Sequence, residues 1–274
     1  MQSTAEAFDS RDFLVAMLVT YAVRGMRFRS VRRTLTHCIW DESQLAALRE
    51  SMSADEDIAA PFRQAILNER AMALASLSDV TSLDKFHELF GQNSRVSPQT
   101  ILPSDIQLLN KYYDDIIAVA DGSIQQWEKR AKEIELRLNA EDPNSIAGLL
   151  LPATAQCIGA GINLEHTRRW TLTAIALRQY HQQHDSWPQQ LSDLETLGLK
   201  FADYSNMRGE MFGYEISGDS AYLWKSEGNT KEAPISQDRP TKKKKEEGGE
   251  SLDSYLLELH GPTAMQYRAA LQRL

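Results

Sequence analysis

The chain has 274 residues, 42% of them hydrophobic and 25% charged, with a formal net charge of −8. These are ordinary globular values for one large or two ordinary domains, and they exclude global disorder. The negative balance disfavours a general nucleic-acid binder, and two cysteines, Cys38 and Cys157, exclude a disulfide framework or a cysteine zinc knuckle.

The N-terminal apolar run, Phe13–Val23, has eleven residues. A bilayer span needs roughly 20. Asp9, Arg11 and Asp12 precede it in place of a positive n-region, and no small-residue cleavage site follows. It therefore reads as a buried helix and not a signal peptide, a membrane-proximal remnant being the alternative. Phe13, Leu14, Met17, Leu18, Tyr21 and Ala22 repeat at spacings of three and four, one face of a helix. Five arginines follow within ten residues: Arg24, Arg27, Arg29, Arg32 and Arg33. They offer a surface for anionic lipid, nucleic acid or an acidic partner; otherwise they form the solvated end of the helix.

The stretch WDESQLAALRESM begins with Asp41 at the N-cap and Gln44 at the capping-box position. Pro61 opens a further helix carrying Phe62, Ile66, Leu67, Met72 and Leu77. Ser104 is a good N-cap before Ile106. Ile117, Ala120, Ile124, Trp127, Ala131, Ile134 and Leu138 then alternate spacings of three and four. That heptad-like seam predicts one long helix, with Gly122 tolerated at a cost of about 1 kcal/mol. Its partner is a helix from about Pro152 to His184 with Ala155, Ile158, Ile162, Trp170, Ala174 and Leu177 near one side. The short linker with Pro143 makes the two antiparallel. Gly159-Ala160-Gly161 lacks the context of a phosphate loop and reads as a place where helices approach closely.

After Pro188 the period changes. QQLSDLETLGL is a short helix closed by Gly198. MFGYEISGDSAYLWK alternates about Gly218-Asp219 as a β-hairpin. Residues 226–251, including Lys242–Lys245, read as a disordered loop. Tyr255, Leu257 and Leu259 then alternate as a third strand, and Ala264–Leu274 reads as a terminal helix.

The fold expectation is a mostly α protein with a small α+β C-terminal unit: a helical bundle or array, and a long helix packed on a short antiparallel sheet. A helical domain over 1–140 and a second domain over 141–274 follow. Ala176, Leu177, Tyr180, Trp187 and Pro188, ahead of a hairpin, resemble the helix ending of the major pseudopilins of type II secretion systems. Asp185 stands where those proteins commonly have Gly. LLLP at 149–152 looks like part of a pseudopilin N-terminal helix placed in mid-chain. The helical half, through WDESQLAALRESM and FRQAILNERAMALASL, resembles uncharacterised bacterial envelope proteins that carry a pseudopilin-like tail. The resemblance covers about residues 35–225 and implies the cell envelope, facing the periplasm. The Asp-Pro-aromatic-Gly turn before the strands is absent and the later loop is lysine-rich, so neither polymerisation nor calcium binding carries over.

His181, His184 and Asp185 are the metal candidates: two imidazoles three apart share a helix face and a carboxylate follows. The competing reading is a polar C-terminal turn, where cationic histidine gains roughly 0.3–1 kcal/mol. In that reading Tyr180, Trp187 and Pro188 form a structural junction. No local motif points to a catalytic residue, a cofactor or a metal, so the expectation is a non-enzymatic structural or protein-interaction module with a protein partner, no nucleic acid and no membrane span. The alternatives are a cytoplasmic helical scaffold and a metal-dependent enzyme using His181 and His184.

Overall fold

The computed structural model describes residues 13–53, 58–78, 103–140, 152–224 and 256–260. The loop expected over 226–251 and the terminal helix from Ala264 lie outside them. Among the described residues six α-helices run in order: α1 Leu14–His37, α2 Glu42–Ser53, α3 Ala59–Ser78, α4 Pro103–Ala120, α5 Ile124–Ala140 and α6 Pro152–His184. Two 3-10 helices, Leu191–Leu197 and Phe201–Tyr204, lead to strands β1 Gly213–Ser217, β2 Ser220–Trp224 and β3 Leu256–His260. The fold is mostly helical with a small antiparallel sheet of order β1-β2-β3. Among the described residues no helix is long and apolar enough to cross a membrane.

Two compact units divide the chain. One comprises Met1–Arg24 with Asp57–Leu164; the other comprises Gly25–Glu56 with Glu165–Leu274. They are not the sequential halves expected from composition. The second half of α1 and all of α2 belong with the C-terminal residues, because they hydrogen-bond to the buried part of α6.

In the first unit α3 packs on α4 and α4 on α5. The start of α1 joins them through Leu14, whose backbone N–H donates to Glu69 Oε1 at 3.2 Å, and through Tyr21, whose hydroxyl donates to the Ile58 carbonyl at 3.2 Å. The long helix expected across Gly122 is instead two helices, broken at Asp121–Ser123. Gly122 N–H turns back onto the Val119 carbonyl, and Ser123 accepts the first amide bond of α5 from Gln126. Arg63 pairs with Asp121 at 2.8 Å and ties the break to α3. Of the seam, Ala120, Trp127 and Ile134 are buried, whereas Ile117, Ile124, Ala131 and Leu138 are half-buried. Trp127 is fully buried, 5.1 Å from the Phe62 ring, and lies against Gly161, where an added Cβ would stand 3.3 Å from the indole.

In the second unit α6 is the core. Every residue from Arg168 to Gln179 is buried, so this helix has no solvent face there. Several of its side chains reach the elements around it. Arg178 Nη2 donates to the Leu35 carbonyl at 2.6 Å and Nη1 to the carbonyl of His260 in β3. Arg49 of α2 donates to Gln179 at 3.3 Å. Thr173 donates to the Asp203 carbonyl at 2.9 Å. Such polar bridges replace the water that buried hydrogen-bonding groups lose.

The capping box of α2 is formed as its spacing predicts: Gln44 N–H donates to Asp41 Oδ1 at 2.8 Å, and Asp41 N–H to Gln44 Oε1 at 3.0 Å. Ser43 first, then the Gln44 amide, hold the Asp41 carboxyl below its ordinary range. The hairpin pairs Ser217 with Ser220 about Gly218-Asp219, and Gly218 takes φ 59°. A two-residue turn with a left-handed first position is most readily met by glycine.

Gly213 lies opposite Trp224 in this ladder, and the indole covers it, so that an added Cβ would run into the Trp224 ring. Gly213→Ala is expected to displace Trp224 and destabilise the second unit by about 1–3 kcal/mol. Urea unfolding followed by Trp fluorescence measures it, and an unchanged midpoint would show that the indole moves aside freely.

Candidate interaction surface

The residues singled out from the sequence separate in three dimensions. His181 is buried with its ring centroid 4.3 Å from Trp187, whereas His184 is exposed with its ring tilted against Tyr180 at 4.2 Å. The two imidazoles have different neighbours, and among the described residues no group of three His, Cys, Asp or Glu side chains is placed to hold a metal. Asp185, exposed, ends α6 in the left-handed region at φ 51°. Gly adopts such a left-handed position at a helix end most readily. Trp187 is buried and donates from Nε1 to the Asp219 carbonyl in the hairpin turn at 3.3 Å; Pro188 accepts from the Tyr214 hydroxyl at 2.8 Å. These contacts join the end of α6 to the sheet.

Burial is the largest influence on His181 and lowers its pKa from the ordinary 6.5. The folded state thus favours the neutral ring. Its stabilising contribution is complete above the unfolded pKa and is lost as pH falls through the lower folded value. Stability is expected to fall below about pH 6.5, and His181→Gln is expected to flatten that limb of a thermal-unfolding series. An unaltered limb would assign the pH dependence to other groups.

The five arginines do not form one cationic face. Arg27 is half-buried and bonds the Ser51 hydroxyl of α2. Arg24 is half-buried, and Arg29 and Arg33 are exposed. Arg32 is only 7% exposed, and its guanidinium lies 4.2 Å from the centre of the Trp170 ring. Its Nε and Nη1 are enclosed and have no hydrogen-bond partner among the described residues. Burial first, and then the positive charge of Arg29, push its pKa down to about 10. A guanidinium in this setting keeps its charge but has exchanged water for one aromatic face.

The sequence reading missed a row on the outer side of α1. Val15, Val19 and Val23 are 71%, 58% and 55% exposed, while Leu14, Met17 and Tyr21 of the same helix are buried. Four-residue spacing places the three valines along one line of the helix. That spacing was visible beside the buried set, but an apolar run does not say which of its lines faces outward. Along α1 toward its C-terminus, Met26, Arg29, Ser30 and Arg33 are also exposed.

Two small hollows can be described. One, of about 190 Å³, is lined by Leu108, Lys111, Tyr112, Asp115, Arg137 and Ala140; the other, of about 40 Å³, lies at Cys38, Trp40, Leu45, Arg178 and His181. Both are smaller than the roughly 300–1,000 Å³ typical of small-molecule sites. Cys157 is buried, and burial pushes its thiol up to about 11, which keeps it protonated and unreactive at neutral pH. No family model, curated protein or solved structure matches the chain.

Proposed function

We propose that this protein is a non-enzymatic protein-interaction module that recruits its partner through the exposed side of α1. The observation that carries this reading is the valine row Val15, Val19 and Val23, left open on a helix whose opposite side is core. A contiguous exposed apolar patch on a helix is the kind of surface that docks against a partner. The junction of Tyr180, Trp187 and Pro188 then has a structural role, and the resemblance to pseudopilins suggests a place at the cell envelope.

The test is to replace Val15, Val19 and Val23 together by Ser and to compare the size of the native complex in the source cell. The reading expects an unchanged melting temperature, since exposed substitutions shift stability by less than about 0.5 kcal/mol. It also expects the complex to shrink to the mass of the free chain. A complex that keeps its size would remove the valine row from recognition.

A further inference from the structure

The end of α6 buries a titratable ring beside a permanent cation. His181 is only 6% exposed, and its ring centroid stands 4.3 Å from that of Trp187, itself 5% exposed. Arg178, one turn earlier on the same helix, lies against the same indole, 5.6 Å from guanidinium carbon to ring centre. The indole in turn donates from Nε1 to the Asp219 carbonyl at 3.3 Å, a bond that ties the hairpin turn to the end of α6. One buried indole thus joins a fixed charge, a switchable one and the hairpin.

Arg178 is held from two sides: Nη2 donates to the Leu35 carbonyl of α1 at 2.6 Å and Nη1 to the His260 carbonyl of β3. His181 lies in the last turn of α6, where helices open most easily. A proton on its ring sets a second buried cation beside the first, so the histidine is the one that yields. Burial, first, and the charge of Arg178 favour the neutral ring, whereas Asp219 and Asp185 favour the cation. Both carboxylates are exposed. The imidazolium therefore gains water and counter-charge by turning outward, away from Trp187. The other titratable neighbours are His184, exposed against Tyr180; His260, whose Nδ1 lies 3.0 Å from the Ser220 hydroxyl; and Cys38. Cys38 shares with Arg178, His181 and Gln182 the hollow of about 40 Å³, to which α2 adds the apolar Leu45. That is room for about one water, by which a proton reaches the ring in the folded chain.

We infer that His181, Trp187 and Arg178 form an acid-released latch: protonation of His181 swings its ring off Trp187 and frees the hairpin turn at Gly218-Asp219 from the end of α6, while Arg178 keeps α6 tied to α1 and β3. Histidine suits this part because its charge changes between about pH 5 and 8. The latch is closed while the ring is neutral. It opens as pH falls from about 6.5 through the lower value of the folded state. One proton then selects between two arrangements of a short stretch, which is how protonation acts in pH-sensing proteins.

The test uses the full chain labelled with 5-fluorotryptophan, the Trp187 fluorine signal being assigned through Trp187→Phe. Hydrogen exchange of residues 213–224 and 168–177 is followed in parallel from about pH 7.5 to about pH 4.5, corrected for the intrinsic rate. The Trp187 signal is expected to move reversibly with one midpoint below about pH 6.5. Hairpin protection should fall at least about tenfold over the same range while protection of the α6 core stays. His181→Gln, neutral at every pH, should abolish both changes, and His184→Gln should leave both in place. If His181→Gln does not fold, Asp219→Asn at its exposed position decides: loss of an anion that favours the imidazolium should move the midpoint to lower pH. A Trp187 signal that stays flat until the whole chain unfolds would overturn the inference, as would hairpin and α6 losing protection together. A titration that survives in His181→Gln, or a midpoint that ignores Asp219→Asn, would assign the proton to another group and overturn it too.

Discussion

Glu165→Ala should destabilise the second unit by about 3–5 kcal/mol, because it strands two buried cations. Arg168 grips the Glu165 carboxylate with both Nε and Nη2, at 2.6 and 2.9 Å, and Arg169 Nε donates to it at 2.6 Å. The three side chains are only 3–6% exposed. Glu165 is thus the shared counter-ion of two guanidinium groups that cannot reach water. Removing it leaves their desolvation uncompensated, which is the expensive way to break a buried pair. Exchanging the whole set for apolar side chains of similar volume, Glu165→Leu with Arg168→Met and Arg169→Leu, should be neutral or stabilising by about 1–4 kcal/mol. Chemical denaturation of the single and triple variants separates the two cases. A single variant that loses less than about 1 kcal/mol would mean the arginines find other anions.

Trp127→Ala should cost the first unit about 3–5 kcal/mol. The indole is 0% exposed, sits 5.1 Å from the Phe62 ring, and is the side chain against which Gly161 of α6 closes. Its removal leaves a cavity between α3, α5 and α6 that rigid helices fill only in part. Gly161→Val tests the same contact from the other side, since its Cβ would already press on both Trp127 and Tyr21 at 3.3 Å. Overpacking there should cost about 1–3 kcal/mol. Both variants can be read by the loss of near-ultraviolet signal and the unfolding midpoint. A Trp127→Ala protein with native stability would contradict a core built on that residue.

Much of the backbone plan was legible. Pro152 and the Trp187-Pro188 pair bracket α6 because proline opens and stops helices. Alternation about Gly218-Asp219 marked the hairpin, and Asp41 with Gln44 marked the start of α2. The break at Gly122 was not legible, because apolar spacings of three and four continue in the sequence across the three-residue turn. The burial of α6 was hidden for a different reason. Glu165, Arg168, Arg169 and Arg178 are residue types that normally face water, and i,i+3 and i,i+4 pairing looks the same on a surface as in a core. The arginine cluster was visible as charge, but not its division into an exposed pair, a bonded Arg27 and a stacked Arg32. That division depends on which side of α1 meets α6, and local spacing does not carry it.

A recognition surface on the outer side of α1 would be in contact with its partner inside the cell. A photocrosslinking amino acid placed at Val19, and as a control at Leu136, tests it most directly in the source cell. Both positions are exposed, at 58% and 63%, so both report collisions equally. One discrete crosslinked species is expected at Val19, absent at Leu136 and lost when Val15 and Val23 are changed to Glu. Crosslinks of the same pattern at both positions, or none at Val19, would contradict it.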